Sequence, residues 1–269
     1  MGRIDNKFKA LRSAGRKAFM PYITAGDPSL PTTESLIRTF SEAGSSVIEL
    51  GVPFSDPIAD GPVNQRSAIR ALKNDVSLRR ILQMVGSLRS QGEEIPIVLF
   101  TYYNPIYKFG LAKLASAAAE SGVDGLVVPD LPPDEADGLR EEAKRCGLDT
   151  IFLLAPTSTV ERIKLVATSS TGFIYYVSRT GVTGERERLS STIERSVVAI
   201  RSYTDTPIAV GFGVSKADQV REIARIADGV IVGSAIVRAI EENIDRPDLV
   251  SAVGELVSGF VQAMGPSEA

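Results

Sequence analysis

Two carboxylates, Glu49 and Asp60, stand eleven residues apart in a segment suited to acid–base chemistry. Glu49 interrupts an apolar run of strand length, and strand alternation puts its side chain on the same face as Val47. Burial of an unpaired carboxylate is costly and raises its pKa, as in many catalytic acids. Asp60 follows in a loop that three prolines stiffen. The pair therefore indicates an acid–base site.

Each carboxylate also has a structural interpretation. A Glu within an apolar strand is usually solvated or ion-paired on the outer face of a sheet, and an Asp before Gly is common in turns. We favour a function for Glu49, because its position in the alternation points it into a core. For Asp60 alone, the turn and the functional interpretation are equally supported.

The composition narrows the chemistry further. The 269 residues include no histidine, which excludes Ser–His and Cys–His catalytic pairs and histidine-containing zinc sites. The one cysteine, Cys146, cannot form an intramolecular disulfide or a thiolate metal cage, so we expect no metal and a cytoplasmic, reducing location. A net charge of −3 leaves no basic excess for nucleic acid or an anionic membrane.

Neither a membrane span nor a signal peptide is expected. No apolar run approaches the roughly 20 residues that a membrane-spanning helix requires. Charged residues recur from Arg3 to Lys17, where a signal peptide would have an apolar block. Residues 5–17 predict a short amphipathic helix, with Ile4, Phe8 and Leu11 on one stripe.

Apolar runs of strand length alternate with segments of helical period along the chain. The predicted strands cover residues 19–24, 46–51, 95–101, 125–129, 150–155, 172–178, 207–212 and 229–233. This alternation favours a parallel sheet, and eight such strands fit a single (β/α)₈ barrel domain over residues 1–269 with an extra N-terminal helix. A doubly wound open sheet is the alternative fold.

Two connections are longer than the others, about 50 residues between the starts of strands two and three and about 35 between strands six and seven. In a barrel, the loops that follow strands lie at the face that carries active sites. The first long loop holds Asp56 and Asp60. The second, residues 178–188, has glycines, hydroxyls and charges typical of a lid, with a solvated loop as the alternative.

Glycines end the last two predicted strands. Gly211, Phe212 and Gly213 follow strand seven, and Gly233 and Ser234 follow strand eight. Barrels often bind a phosphate group there through backbone N–H groups and the start of a short helix, which Ser234 can cap. The pair of glycine-rich strand ends therefore predicts a phosphorylated ligand.

Five segments resemble the tryptophan synthase alpha chain family, in the order in which that family has them. They are PYITAGDP at 21–28, ELGVPFSDP with ADGP at 49–62, RTGVTG at 179–184, GFGVS at 211–215 and GSAIV at 233–237. The resemblance runs from the first strand to beyond the eighth. It implies a (β/α)₈ barrel lyase of tryptophan biosynthesis that cleaves indole-3-glycerol phosphate to indole and glyceraldehyde 3-phosphate.

The resemblance also implies roles for single residues. Glu49 matches the general acid–base of the family, and Asp60 matches the carboxylate that stabilises the reacting indole. The residues that match its substrate-binding positions are Tyr22, Tyr175, Thr183, Gly184, Gly211, Phe212, Gly213, Gly233 and Ser234. Thr183 matches the lid residue that engages the catalytic Asp.

A partner chain is implied as well. The family passes indole to a beta chain that holds pyridoxal phosphate, in an alpha2beta2 complex, while the alpha chain itself needs no cofactor. Pro53, Phe54, Asp56 and Pro57 match a contact with that partner. On the residues alone, Phe54 and Ile58 are apolar side chains displayed on a rigid loop, a pattern typical of a contact surface, with packing back onto the barrel as the alternative.

The chain departs from the family at two positions of the indole pocket. Tyr22 stands where the family often has Phe, and Asn64 stands where it often has an apolar residue. Two other functions remain open: an isomerase or a different lyase acting on a phosphorylated substrate, and a subunit that mainly binds and activates a partner enzyme.

Overall fold

Parallel strands form the centre of the computed structural model, which describes residues 2–178, 186–211 and 213–265, with the backbone alone at 186–190. Every strand pair in the described chain is parallel. The strands are β1 (Ala18–Thr24), β2 (Ile48–Gly51), β3 (Ile97–Phe100), β4 (Gly125–Val127), β5 (Asp149–Ile151), β6 (Leu153–Leu154), β7 (Ile174–Val177), β8 (Ile208–Gly211) and β9 (Gly229–Val232).

The strands close into a barrel. Their order in the sheet is β5-β4-β3-β2-β1-β9-β8-β7-β6, so β5 and β6 occupy its two ends. These two strands are separated in the chain by Phe152 alone, and together they are the predicted fifth strand. The Phe152 N–H donates to Ser170 Oγ at 3.4 Å rather than to a neighbouring strand, which divides the segment. The expectation of a (β/α)₈ barrel is thus confirmed and the open sheet is excluded.

Helices surround the barrel and follow the strands in turn. Within the described residues they are α1 (Arg3–Ser13), α2 (Leu30–Glu42), α3 (Pro62–Leu72), α4 (Leu78–Ser90), α5 (Tyr103–Phe109), α6 (Leu111–Glu120), α7 (Asp137–Cys146), α8 (Val160–Ser169), α9 (Arg186–Arg201), α10 (Ala217–Ile226), α11 (Ser234–Glu242) and α12 (Leu249–Ala263).

The predicted N-terminal helix packs against the barrel interior. Ile4 and Phe8 of α1 are buried in the cluster of inward-facing strand side chains, and Leu11 packs at its edge. The Phe8 ring lies 6.1 Å from that of Phe173, which directly precedes β7. Burial of each such side chain stabilises the fold by about 1.5–3 kcal/mol. Helix α1 therefore fills the amino-terminal end of the barrel, opposite the loops that follow the strands.

Alternation along β2 separates two cores. Ile48 and Leu50 belong to the large cluster between strands and helices, whereas Val47 belongs to the inner cluster. Since side chains alternate along a strand, Glu49 faces the barrel interior, as the sequence predicts. The long connection after β2 contains two helices, α3 and α4, and the loop with Asp60 lies immediately before α3.

Candidate active site

Glu49 is a buried carboxyl group in the middle of β2. Its Cα pairs in register with Tyr22 of β1 and with Val98 of β3, and the residue is 1% exposed. Within the described residues, Glu49 Oε1 has no hydrogen-bond partner. Burial, followed by the negative charge of Asp60, raises the pKa of Glu49 to about 8. The group therefore holds a proton at neutral pH and is able to donate it.

Tyr22 forms one wall beside Glu49. Its ring meets that of Phe100 edge-on at 5.8 Å, and its Oη lies 3.4 Å from Thr24 Oγ1. Gly51 leaves the space for this ring, because a Cβ added at Gly51 would lie 2.3 Å from Tyr22 Oη. Burial raises the pKa of Tyr22, so the phenol stays neutral. The Tyr22 hydroxyl thus places a polar but uncharged group next to Glu49.

Asp60 is held in place through both of its carboxylate oxygens. Tyr102 Oη donates to Oδ2 at 2.9 Å, and Asn64 Nδ2 donates to Oδ1 at a longer 3.5 Å. Burial raises the pKa of Asp60, while these two hydrogen bonds act against burial by favouring the ionised form. The two candidate carboxylates therefore differ: Glu49 has no partner at Oε1, whereas both oxygens of Asp60 accept hydrogen bonds.

Tyr102 is a site residue that sequence reasoning missed. It lies two residues after β3, at the end of the strand where barrel site residues gather, and that position was the available signal. Its Oη accepts a hydrogen bond from Ala59 N at 3.0 Å while donating to Asp60. Burial and then the Asp60 charge raise the pKa of Tyr102, so it remains a donor. Tyr102 thereby links the Asp60 loop to the third strand.

Tyr175 reaches the same interior from β7, between Leu153 and Ala209 in register. Burial and then the negative charge of Glu49 raise its pKa well above the usual value, which reflects its place beside that carboxyl group. A Cβ added at Gly211 would lie 2.9 Å from Tyr175 Oη. Gly211 therefore makes room for the tyrosine, and its direct contact with substrate stays a prediction.

The predicted phosphate end lies where β8 and β9 stop. Gly213 has φ of 77°, a left-handed conformation that favours glycine. Gly233 is the N-cap of α11, and Ser234 is its first residue. The prediction that Ser234 caps this helix is therefore wrong by one position, because α11 begins at Ser234 and leaves Gly233, directly after β9, as the N-cap. Helix N-terminal N–H groups lack intrahelical partners and favour anions.

Three predicted substrate-binding residues lie outside the described residues. They are Thr183 and Gly184 of the predicted lid, and Phe212 between Gly211 and Gly213. The structure neither supports nor opposes their assignment.

The predicted partner loop has both buried and exposed residues. Pro53 is buried, Phe54 and Pro57 are half-buried, and Asp56 is exposed. The Phe54 ring lies 5.4 Å from that of Tyr102. Phe54 therefore packs onto the barrel's own Tyr102, which is the alternative to a contact surface for this residue. Ile58 is 83% exposed, and its contact with a partner stays a prediction.

Comparison with known proteins identifies the family. A family model described as tryptophan synthase alpha chain matches residues 8–263. The tryptophan synthase alpha chain of Thioalkalivibrio sulfidiphilus is 47% identical over 265 residues, which cover 98% of this chain and 100% of the relative. The chain belongs to the tryptophan synthase alpha chain family. That of Geobacter sulfurreducens is 48% identical over 265 residues, covering 98% of this chain and 100% of the relative.

Solved structures agree with this membership. Tryptophan synthase subunit alpha from Legionella pneumophila superposes with a TM-score of 0.91 at 37% identity and covers 98% of both chains. A tryptophan synthase structure from Mycobacterium tuberculosis superposes with a TM-score of 0.88 at 35% identity, again with 98% of each chain covered.

The family settles the class of activity. The chain is a lyase of tryptophan biosynthesis, and its reaction is the cleavage of indole-3-glycerol phosphate to indole and glyceraldehyde 3-phosphate. Membership implies a beta chain as partner. Among the described residues, no helix is long and apolar enough to cross a membrane, and no group of three or more His, Cys, Asp or Glu side chains is placed to hold a metal ion.

Proposed function

We propose that Glu49 is the general acid–base of the cleavage reaction. The observation that carries this proposal is a barrel-facing carboxyl group, 1% exposed, with its pKa raised to about 8. Retro-aldol cleavage requires a proton at C3 of the indole and a base for the side-chain hydroxyl that becomes the aldehyde. One carboxyl group with a pKa near neutrality serves both steps in turn.

Asp60 has the complementary role in this proposal. As C3 accepts a proton, positive charge develops at the indole nitrogen, and an ionised carboxylate beside it stabilises that charge. The hydrogen bonds from Tyr102 and Asn64 support this role, because they favour the charged form of Asp60. Tyr22 and Tyr175 line the pocket between the carboxylates as neutral groups.

The phosphate group of the substrate occupies the end of the barrel formed by Gly213, Gly233 and Ser234. The support is the left-handed turn at Gly213 and the start of α11 directly after β9. Gly233 also adjoins the candidate pocket, since a Cβ added there would lie 3.4 Å from Tyr22 Cβ. Gly211 and Phe212 join this phosphate end, and Thr183 and Gly184 close over the substrate.

The beta chain binds at the loop of Pro53, Phe54, Asp56 and Pro57, in an alpha2beta2 complex whose beta chain holds pyridoxal phosphate. Support comes from the exposure of Asp56 and of Ile58 on a proline-stiffened loop. The loop also contacts the site, because Phe54 packs on Tyr102 and Tyr102 bonds Asp60. A cytoplasmic location and a single domain over residues 1–269 stay predictions.

The deciding experiment measures release of indole from indole-3-glycerol phosphate by the wild type and by Glu49→Gln, each with and without a beta chain. The amide is nearly isosteric but cannot exchange the proton, so we expect a loss of about 10²–10⁴-fold or more in rate. Far-UV circular dichroism and binding of a glycerol phosphate analogue control for folding. Turnover of Glu49→Gln within a few-fold of wild type would remove Glu49 from the mechanism.

A further inference from the structure

The proposed mechanism gives a role to the NH₂ group of Asn64 but none to its carbonyl oxygen. Asn64 lies in the first turn of α3, four residues after Asp60, and its Nδ2 is 3.5 Å from Asp60 Oδ1. Tyr102 Oη donates a hydrogen bond to the other carboxylate oxygen, Asp60 Oδ2, at 2.9 Å. Asn64 therefore supplies the second of two side-chain donors to the Asp60 carboxylate.

The orientation of the Asn64 amide follows from the chemistry of its neighbour. An ionised carboxylate only accepts hydrogen bonds, so the NH₂ group rather than the carbonyl oxygen must face Asp60. The carbonyl oxygen then points away from Asp60. It is buried, and within the described chain Asn64 Oδ1 has no hydrogen-bond partner. A buried acceptor without a donor is unfavourable, which makes a donor on the bound substrate its natural partner.

The other groups that face Asp60 are neutral at pH 7. The negative charge of Asp60 raises the pKa values of Glu49, Tyr22, Tyr102 and Tyr175, which places these four groups around it. Among them only Tyr102 donates to the carboxylate in the described structure. The Asn64 amide is therefore not redundant in keeping Asp60 ionised.

We propose that Asn64 is a positioning and specificity residue: its NH₂ group holds the Asp60 carboxylate, and its carbonyl oxygen accepts a hydrogen bond from the nitrogen-bearing edge of the substrate's indole ring. The ring N–H is the donor on that edge in the natural substrate. A hydroxyl group at carbon 7, which lies on the same edge of the ring as the N–H, supplies a second donor. A methyl group at carbon 7 supplies none. The inference rests on the roles proposed for Glu49 and Asp60.

Two variants separate the role of the Asn64 NH₂ group from that of its carbonyl oxygen. Asn64→Leu removes both donor and acceptor at similar size, and Asn64→Asp keeps an acceptor but replaces the NH₂ group. The control is Gln65→Ala, since Gln65 Nε2 bonds the main-chain oxygen of Asp60 at 2.9 Å and does not reach its carboxylate. Thermal melts establish that each variant is folded, and Asn64→Asp alone decides the positioning half if Asn64→Leu does not fold.

The readouts are the acid limb of the kcat–pH profile and the ratio of kcat/KM for the 7-hydroxy and 7-methyl substrates. We expect Asn64→Leu to lower that ratio about 5- to 10-fold, as for one lost hydrogen bond. It should also move the acid limb upward by about 0.5–1 pH unit, because Asp60 loses a donor to its charged form. Asn64→Asp should move the limb further and keep the ratio, and Gln65→Ala should change neither.

A ratio that Asn64→Leu leaves at the wild-type value overturns the specificity role, and an acid limb that neither Asn64 variant moves overturns the positioning role. Glu49→Gln is measured in parallel. If it keeps turnover, the proposed site itself is wrong and the inference fails with it. If it loses turnover while the Asn64 variants match wild type, the inference alone fails.

Discussion

The contact between Gly51 and Tyr22 gives a prediction whose size follows from the structure. In Gly51→Ala, the new methyl group would lie 2.3 Å from Tyr22 Oη and 2.7 Å and 2.8 Å from two ring carbons. Ordinary van der Waals contact begins near 3.5 Å, so the phenol must move by about 1 Å. The ring has little freedom to do so, because it is buried and packs edge-on against Phe100.

The expected cost has a stability part and a catalytic part. Overpacking of this kind costs about 1–3 kcal/mol, which lowers the Tm of a chain of this size by roughly 2–10 °C. Tyr22 pairs in register with Glu49, so its displacement also changes the surroundings of that carboxyl group. A misplacement of about 1 Å in a site can reduce kcat/KM by about 10- to 100-fold.

The assay combines differential scanning calorimetry with indole release, and the control is Gly86→Ala. Gly86 lies inside α4, where an added Cβ meets no atom within 4 Å. Alanine there should stabilise the helix by about 0.5–1 kcal/mol and leave activity unchanged. Adding Tyr22→Phe to Gly51→Ala removes the 2.3 Å contact and should restore part of the Tm. If Gly51→Ala melts within 1 °C of wild type and cleaves at the wild-type rate, the steric reasoning is refuted.

Four further predictions concern the carboxyl groups and the residues that bond them. The pKa of Glu49 is about 8 in the folded protein against 4.5 in the unfolded chain, so the folded state loses stability as the pH rises from about 4.5 to 8. In urea titrations at pH 9, Glu49→Gln should therefore be more stable than wild type by a few kcal/mol. The kcat of the wild type should fall above pH 8 as the proton is lost. Tyr102→Phe should lower kcat about 10- to 100-fold and raise the acid limb, because Asp60 loses its 2.9 Å donor, and an unchanged pH profile would argue against that role. Asp27 is 1% exposed and accepts hydrogen bonds from the guanidinium of Arg70 and the hydroxyl of Ser67. Asp27→Asn should therefore lower the free energy of unfolding by about 2–4 kcal/mol in chemical denaturation. The control Asp75→Asn, in an exposed ion pair, should lower it by less than about 0.5 kcal/mol.

The barrel was predictable because its strands are locally encoded. Each predicted strand is an apolar run bounded by turn residues, and the alternation around Glu49 assigned that side chain to the interior before any contact was known. The break at Phe152 was not predictable, because it depends on a hydrogen bond to the hydroxyl of Ser170, the C-cap of α8, which is 18 residues further along the chain. Local pattern specifies that a segment is extended, whereas its ladder partners depend on the neighbours.

Only those residues of the candidate site that are unusual within their own local segment could be predicted from the sequence. Glu49 was recognisable because a charge in an apolar strand is locally anomalous, but the difference between the two carboxylates arises from contacts between distant segments. Tyr102 comes from the end of β3 and meets the Asp60 loop from β2 at 2.9 Å. The same ring packs against Phe54, for which the loop sequence left a partner surface and packing onto the barrel as alternatives. Tyr102 thus contacts both Phe54 and Asp60, so a partner that displaces Phe54 would act on one of the two side-chain donors to the Asp60 carboxylate.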